Sequence, residues 1–254
     1  MKTGKYFELV ESTKSTLPNG VFVYRIRALV DLPKHGIKVG DMGGFVEHER
    51  NLSGAAWVTG SARVSGNARV SGNAKVSGNA RVFGNARVFG NAKVSGNAQV
   101  YGTARVSGNA QVYGVAGVGG SARVFGDARV FGDALISGET WVFGNAWVSG
   151  DAMISSNAMI SGNAQVFGSA RIHGNAKIRN PSDYLTVGPA KSSGRMTHAH
   201  IDAKLGVRVT CGCFTGTVHE FSKAIEETHA GNQEYLEQYR LFCQLIAFNF
   251  GVTL

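Results

Sequence analysis

Val70-Ser71-Gly72-Asn73-Ala74-Lys75-Val76-Ser77-Gly78-Asn79 repeats itself after six residues, and that period decides the fold. Followed outward, an aliphatic residue recurs at every sixth position from Val58 to Ile178: 21 positions of Val or Ile, with no insertion or deletion. Two residues before each stands a small one, Ala56, Ala62, Ala68 and onward to Ala176, with Thr140 the exception. Most units close on Gly-Asn, Gly-Asp or Gly-Ser, so the consensus is Ala-x-Val-x-Gly-Asn. Side chains two apart in extended chain share a face. Ala and Val therefore point inward, and the residue between them forms an outward lane. Gly accepts positive φ freely and Asn tolerates it better than most residues, which predicts a corner at Gly-Asn. One strand and one corner cannot bury an apolar face alone, whereas stacked coils can.

On either side of the repeat the pattern changes. Residues 1–45 read as a small β cap. Leu17-Pro18-Asn19-Gly20 is a turn signal, Val21–Ile26 has strand composition, and Gly36–Val46 leads into the repeat. Met1–Tyr6 runs into polar, strand-like sequence rather than a signal-peptide core. Residues 46–180 hold the repeat, with Val46 and Leu52 already in its frame, and Pro181 ends it. Residues 181–254 read as an α+β module. Strands are expected at Tyr184–Gly188, Met196–Ile201 and Gly206–Phe214, with a loop at Pro189–Arg195. Thr217-Val218-His219-Glu220 is a capping box opening a first helix that ends near Gly231. A second helix, from about Asn232, has Leu236, Tyr239, Cys243 and Ile246 on one face.

The repeat, in phrases such as Val70-Ser71-Gly72-Asn73-Ala74, resembles the hexapeptide-repeat, left-handed parallel β-helix family. That resemblance implies an all-β solenoid of about seven triangular coils, three hexapeptides to a coil. At roughly 4.8 Å per coil the prism would be about 34 Å long. The segment Gly40–Val46 with Asn51-Leu52-Ser53 resembles the entry to uncharacterised hexapeptide proteins of bacteria and phages, some described as acyltransferases. Tyr184–Pro189 with Cys211–Thr217 resembles a tail found on phage and prophage proteins. Those likenesses imply a protein that sequesters a host factor or an anionic signalling molecule, a host-defence antagonist.

Three odd cysteines, all outside the repeat, and no stretch of 18 apolar residues point to a reduced, cytoplasmic chain with no membrane contact. The formal net charge of +9 favours anionic partners, whether small molecules, nucleic acid or an acidic protein face. Residues 18 apart should stack, so Arg69, Arg87, Arg105 and Arg123 form one outward column. Like charges on neighbouring strands repel, and an anion would relieve them. Lys191 and Arg195, on the module's loop, complete the candidate anion-binding set. Further along the outward lane come Leu135, Trp141, Trp147, Met153 and Met159 in succession, an apolar belt that predicts an interface and a homo-oligomer, or else a surface covered by the chain's own C-terminal module.

His198-x-His200 and Cys211-x-Cys213 fall on neighbouring strands and are candidate zinc ligands. The usual Cys-x-x-Cys spacing is missing, and buried Cys is often simply a small apolar residue, so no metal and no cofactor is expected. Acetyl-coenzyme A-dependent acyl transfer is the alternative function. It would need a histidine base in a walled pocket, and His173 is the repeat's one histidine, with no loop interrupting the register. No catalytic residue is therefore assigned, and the reading is a non-enzymatic binding or scaffold protein for an anionic ligand or a host protein.

Overall fold

The computed structural model describes residues 5–254; the start of the expected cap, residues 1–4, lies outside them. From Trp57 to Ile178 the chain is a parallel β-solenoid of two-residue strands, one per repeat unit. Every third strand pairs in register: Arg69 opposes Arg87, Arg87 opposes Arg105, and Arg105 opposes Arg123. Three sheets result, two of them 7-stranded, so about seven coils stack with one sheet on each face. Val46 pairs with Val64 and Leu52 bridges to Val70, so both extra positions share the frame.

The core is the inward lane. Val58 through Ile178 at every sixth position, and the alanines two before them, are buried. Thr140 is buried as well, and its hydroxyl donates to the Ser137 carbonyl at 2.7 Å, which is how a polar side chain is accommodated there.

The corners differ in one respect from expectation. Of the Gly-Asn pair only the glycine takes the left-handed conformation, as at Gly72 (φ 69) and Gly90 (φ 72). A Cβ on Gly72 would also lie 3.0 Å from the Gly90 carbonyl oxygen one coil on. The asparagines are not left-handed. Their side chains form ladders between coils: Asn73 donates to Asn91 at 3.3 Å, Asn91 to Asn109 at 3.2 Å and Asn109 to Asp127 at 2.9 Å. Among the described residues the one non-glycine with positive φ is Ser156 (φ 62), standing where the repeat otherwise places Gly.

At the N-terminal end, strands Phe7–Thr16 and Phe22–Ala28 pair antiparallel. Strand Met42–Val46 joins them to the solenoid, antiparallel to the second and parallel to Arg63–Val64. At the other end a 3-10 turn at Pro181–Asp183 stops the ladder. Four antiparallel strands follow: Tyr184–Val187, Thr197–Asp202, Gly206–Cys211 and Phe214–Gly216. The single strand expected over 206–214 is therefore a hairpin, turning at Gly212 (φ 60). Helix α1 (Val218–His229) starts on the capping box of Thr217 and Glu220, and α2 (Gln233–Phe250) buries Leu236, Tyr239, Cys243 and Ile246. With Val209, Phe221 and Ile225, the last three form the module's own core.

Candidate functional site

The arginine column exists as stacked, exposed side chains on one face, at Arg69, Arg87, Arg105 and Arg123. None of the four has an ion-pair partner among the described residues. Lys191 and Arg195 are not brought to it. Lys191 pairs with Glu234 at 2.6 Å within the module. Arg195 lines a cavity of about 260 Å³ with Arg171, His198 and Thr210, where the module meets the last coil.

The belt follows directly from the same register. Leu135 lies beside Met153, and Trp141 lies between Arg123 and Met159. Trp147 lies between Arg129 and Gln165 on the third face. Trp141 is 37 % exposed, Trp147 41 % and Met153 45 %, so the module does not cover them; Leu135 and Met159 are half-buried. Each indole packs under an arginine from the coil before it. Arg123 sits 5.0 Å from the Trp141 ring centre and Arg129 5.1 Å from that of Trp147, within cation–π range. Aromatic rings 18 residues apart also stack between coils, Phe83 on Tyr101 at 5.6 Å and Phe125 on Phe143 at 4.9 Å.

The proposed histidine and cysteine ligands do not converge. On the strand Thr197–Asp202, His198 and His200 face the end of the solenoid, where His200 Nε2 lies 3.2 Å from the His173 carbonyl. Cys211 is paired with Thr197, which is on the opposite face of that sheet, and packs against the module's helical core. Cys213 is exposed in the hairpin turn. Period-two alternation within one sheet separates the pairs, and among the described residues no cluster of three such side chains forms.

The junction is instead a polar seam. His173 Nε2 is 2.9 Å from the Thr210 hydroxyl, and Asp202 accepts from Asn175 N at 3.1 Å and from Arg208 Nε at 3.0 Å. Burial, then the Arg208 charge, lowers the His173 pKa. Burial pushes His198 and His200 down to about 4, helped by Arg171 at the first and His173 at the second. Burial works to raise the Asp202 carboxyl, but hydrogen bonds from Lys204, Arg208, Leu205 and Asn175 together outweigh it and hold it at about 2.

Two features escaped sequence reading. Trp57 occupies the outward lane, opposite Lys75, yet is 0 % exposed. Helix α2 also carries Leu241, Leu245 and Phe248 on its open side, with Phe248 88 % exposed. The signal for both was present, a lane position beside the cap and a second i, i+4, i+7 stripe.

Five overlapping windows match the YdcK β-solenoid repeat family, at residues 62–78, 74–88, 80–96, 86–102 and 98–114. They fall on the arginine-bearing coils. The match thus concerns the repeat and does not reach the belt or the module. No curated protein matches the chain. Among the described residues no helix is long and apolar enough to cross a membrane.

Proposed function

We propose that the chain is a non-enzymatic, cytoplasmic solenoid binding protein of the phage or prophage type, which assembles with copies of itself and holds a partner without transforming it. The observation that carries this reading is the bare belt. Trp141, Trp147 and Met153 stand in water on a rigid prism, and an exposed apolar patch of this kind marks an interaction surface. The belt is spread over all three faces, as contacts between several copies would need. Replacing Trp141→Arg with Trp147→Arg returns the lane to the residue it carries at 123 and 129. Sedimentation should then show a lower assembly mass with unchanged circular dichroism. An unchanged mass removes the belt as the contact, and a Phe248→Ser variant then tests the open face of α2.

The arginine column supports an anionic ligand, nucleotide or nucleic acid, as the partner held. Four guanidinium groups in register, with no ion-pair partner among the described residues, offer phosphate contacts without sequence readout. Arg87→Glu with Arg105→Glu should weaken binding of a short single-stranded oligonucleotide and flatten its salt dependence; unchanged affinity leaves the column a solubility device. His173, the base that acyl transfer would use, is engaged by Thr210 and packs edge-on against His200 at 5.7 Å, which favours binding over catalysis.

A further inference from the structure

The N-terminal hairpin does more than close the prism. Its turn, held by Leu17 N to the Val21 carbonyl at 2.8 Å, overhangs the face that carries Arg63 and Arg81. Between them lies a groove of about 550 Å³, within the range of small-molecule sites. Leu17 and Pro18 line it from the hairpin; Arg63, Arg81 and Phe83 line it from the coils.

The two arginines of this groove form no ion pair among the described residues, although Glu47 also lines it and the Arg63 guanidinium lies 6.0 Å from the Phe45 ring centre. Arg63 and Arg81 are directly opposed on neighbouring strands. Arg63 Nε is buried with no hydrogen-bond acceptor, a costly state for a charged donor. The nearby carboxylate does not serve it. Glu47 accepts from Gly66 N at 2.5 Å through one oxygen, and its other lies 3.0 Å from His48 Nε2. The flat part of the wall is the Phe83 ring, which stacks on Tyr101 with 11° between planes, and Asn19, Ser65 and Gln99 add polar lining beside it. Guanidinium forks match carboxylate and phosphate oxygens, and an aromatic wall matches a planar ring.

We infer that this groove binds a small organic anion, its carboxylate or phosphate head on Arg63 and Arg81 and its flat ring body against Phe83. It lies on a different face from the Arg69–Arg123 column and takes a small molecule enclosed by the hairpin. A nucleotide and an aromatic acid share this chemistry, so calorimetry on the full chain uses AMP and benzoate, with adenosine and inorganic phosphate as the separate halves. One of the two acids should bind at one per chain, with adenosine and phosphate each at least tenfold weaker than AMP if AMP is the ligand. Arg81→Gln should weaken the preferred acid at least tenfold and Phe83→Ser about fivefold. Both variants should keep the wild-type melting temperature, because Gln fills the outward lane at 99 and 111, and Ser follows the core Val at 65 and 71. The assignment is overturned if neither acid saturates, if phosphate alone binds as tightly as AMP, or if neither variant changes the affinity. Loss of binding in Arg87→Glu with Arg105→Glu, with Arg81→Gln unaffected, would move the ligand to the column and likewise overturn it.

Discussion

The two ends of the prism are closed by opposite chemistries. At the N-terminal end an outward tryptophan is covered outright: Trp57 joins Phe7, Ile26, Ala28 and Leu32 in the main core. Its indole N–H has no partner, so apolar burial prevails there even over an unmet donor. The His35 turn crosses the same face, with Nε2 2.8 Å from the Ala55 carbonyl. At the C-terminal end the contact is made by His173, His200, Asp202, Arg208 and Thr210, while Trp141 and Trp147 on the coils just before it stay bare. One lane thus yields a core residue where the chain folds back over it and an open surface where it does not. Side-chain chemistry sets what a position can bury, and topology sets whether anything arrives to bury it.

The sharpest way to break the contrast is Trp57→Arg. At 69 or 87 arginine is an ordinary exposed lane residue, but at 57 it would place an unpaired charge under the cap. The expected loss is about 3–5 kcal/mol in chemical denaturation; an unchanged midpoint would mean that the cap does not seal that face.

The C-terminal end should break by acid instead. His200, with its pKa lowered to about 4 by burial and by His173, is neutral in the folded chain and titrates near 6.5 when unfolded. The folded state therefore binds fewer protons between those values, and stability is full above about 6.5 and falls as pH drops toward 4. For the nearly inaccessible His200 the loss approaches about 3 kcal/mol. Amide exchange should open the module near pH 4.5 while the solenoid stays protected, and equal protection in both would contradict the linkage.

By contrast, Trp141→Arg with Trp147→Arg should cost less than about 1 kcal/mol, because exposed positions contribute little, and should act on assembly alone. A large fall in melting temperature would instead mark the bare end as a second covered one.

The smallest effect lies at Ser156. A left-handed residue with a Cβ costs roughly 1–2 kcal/mol, and the extra chain entropy of glycine offsets roughly 0.5–1 kcal/mol. Ser156→Gly should raise stability by about 0.5–1 kcal/mol in a thermal melt, and a loss would show that the serine earns its place through a contact of its own.

Legibility from sequence followed the range of the interactions. The solenoid was readable because each Val meets its partner at a fixed distance of 18 residues, and the α1 cap and the buried face of α2 because both are local patterns. The column and the belt followed from the same register. The asparagine ladder lies in that register too, its members 18 residues apart, but corner preference by itself does not show it. The histidine and cysteine pairs looked convergent because spacing fixes a face within a strand but not which faces of two strands agree. The place of Trp57 beside the cap was in the sequence, but its cover and the groove at Arg63 depend on where the hairpin lands, which is a long-range outcome.

The uninterrupted pitch has a consequence for how such a chain can diversify. Adding or deleting one full coil changes only the spacing between the hairpin and the module, since every outward residue keeps its face. Adding or deleting one six-residue unit does something else: it turns everything downstream by one face, so that the tryptophans would follow a different column from the cap. The repeat therefore acts as a ruler and a dial at once, with distance and azimuth set by separate counts of the same unit.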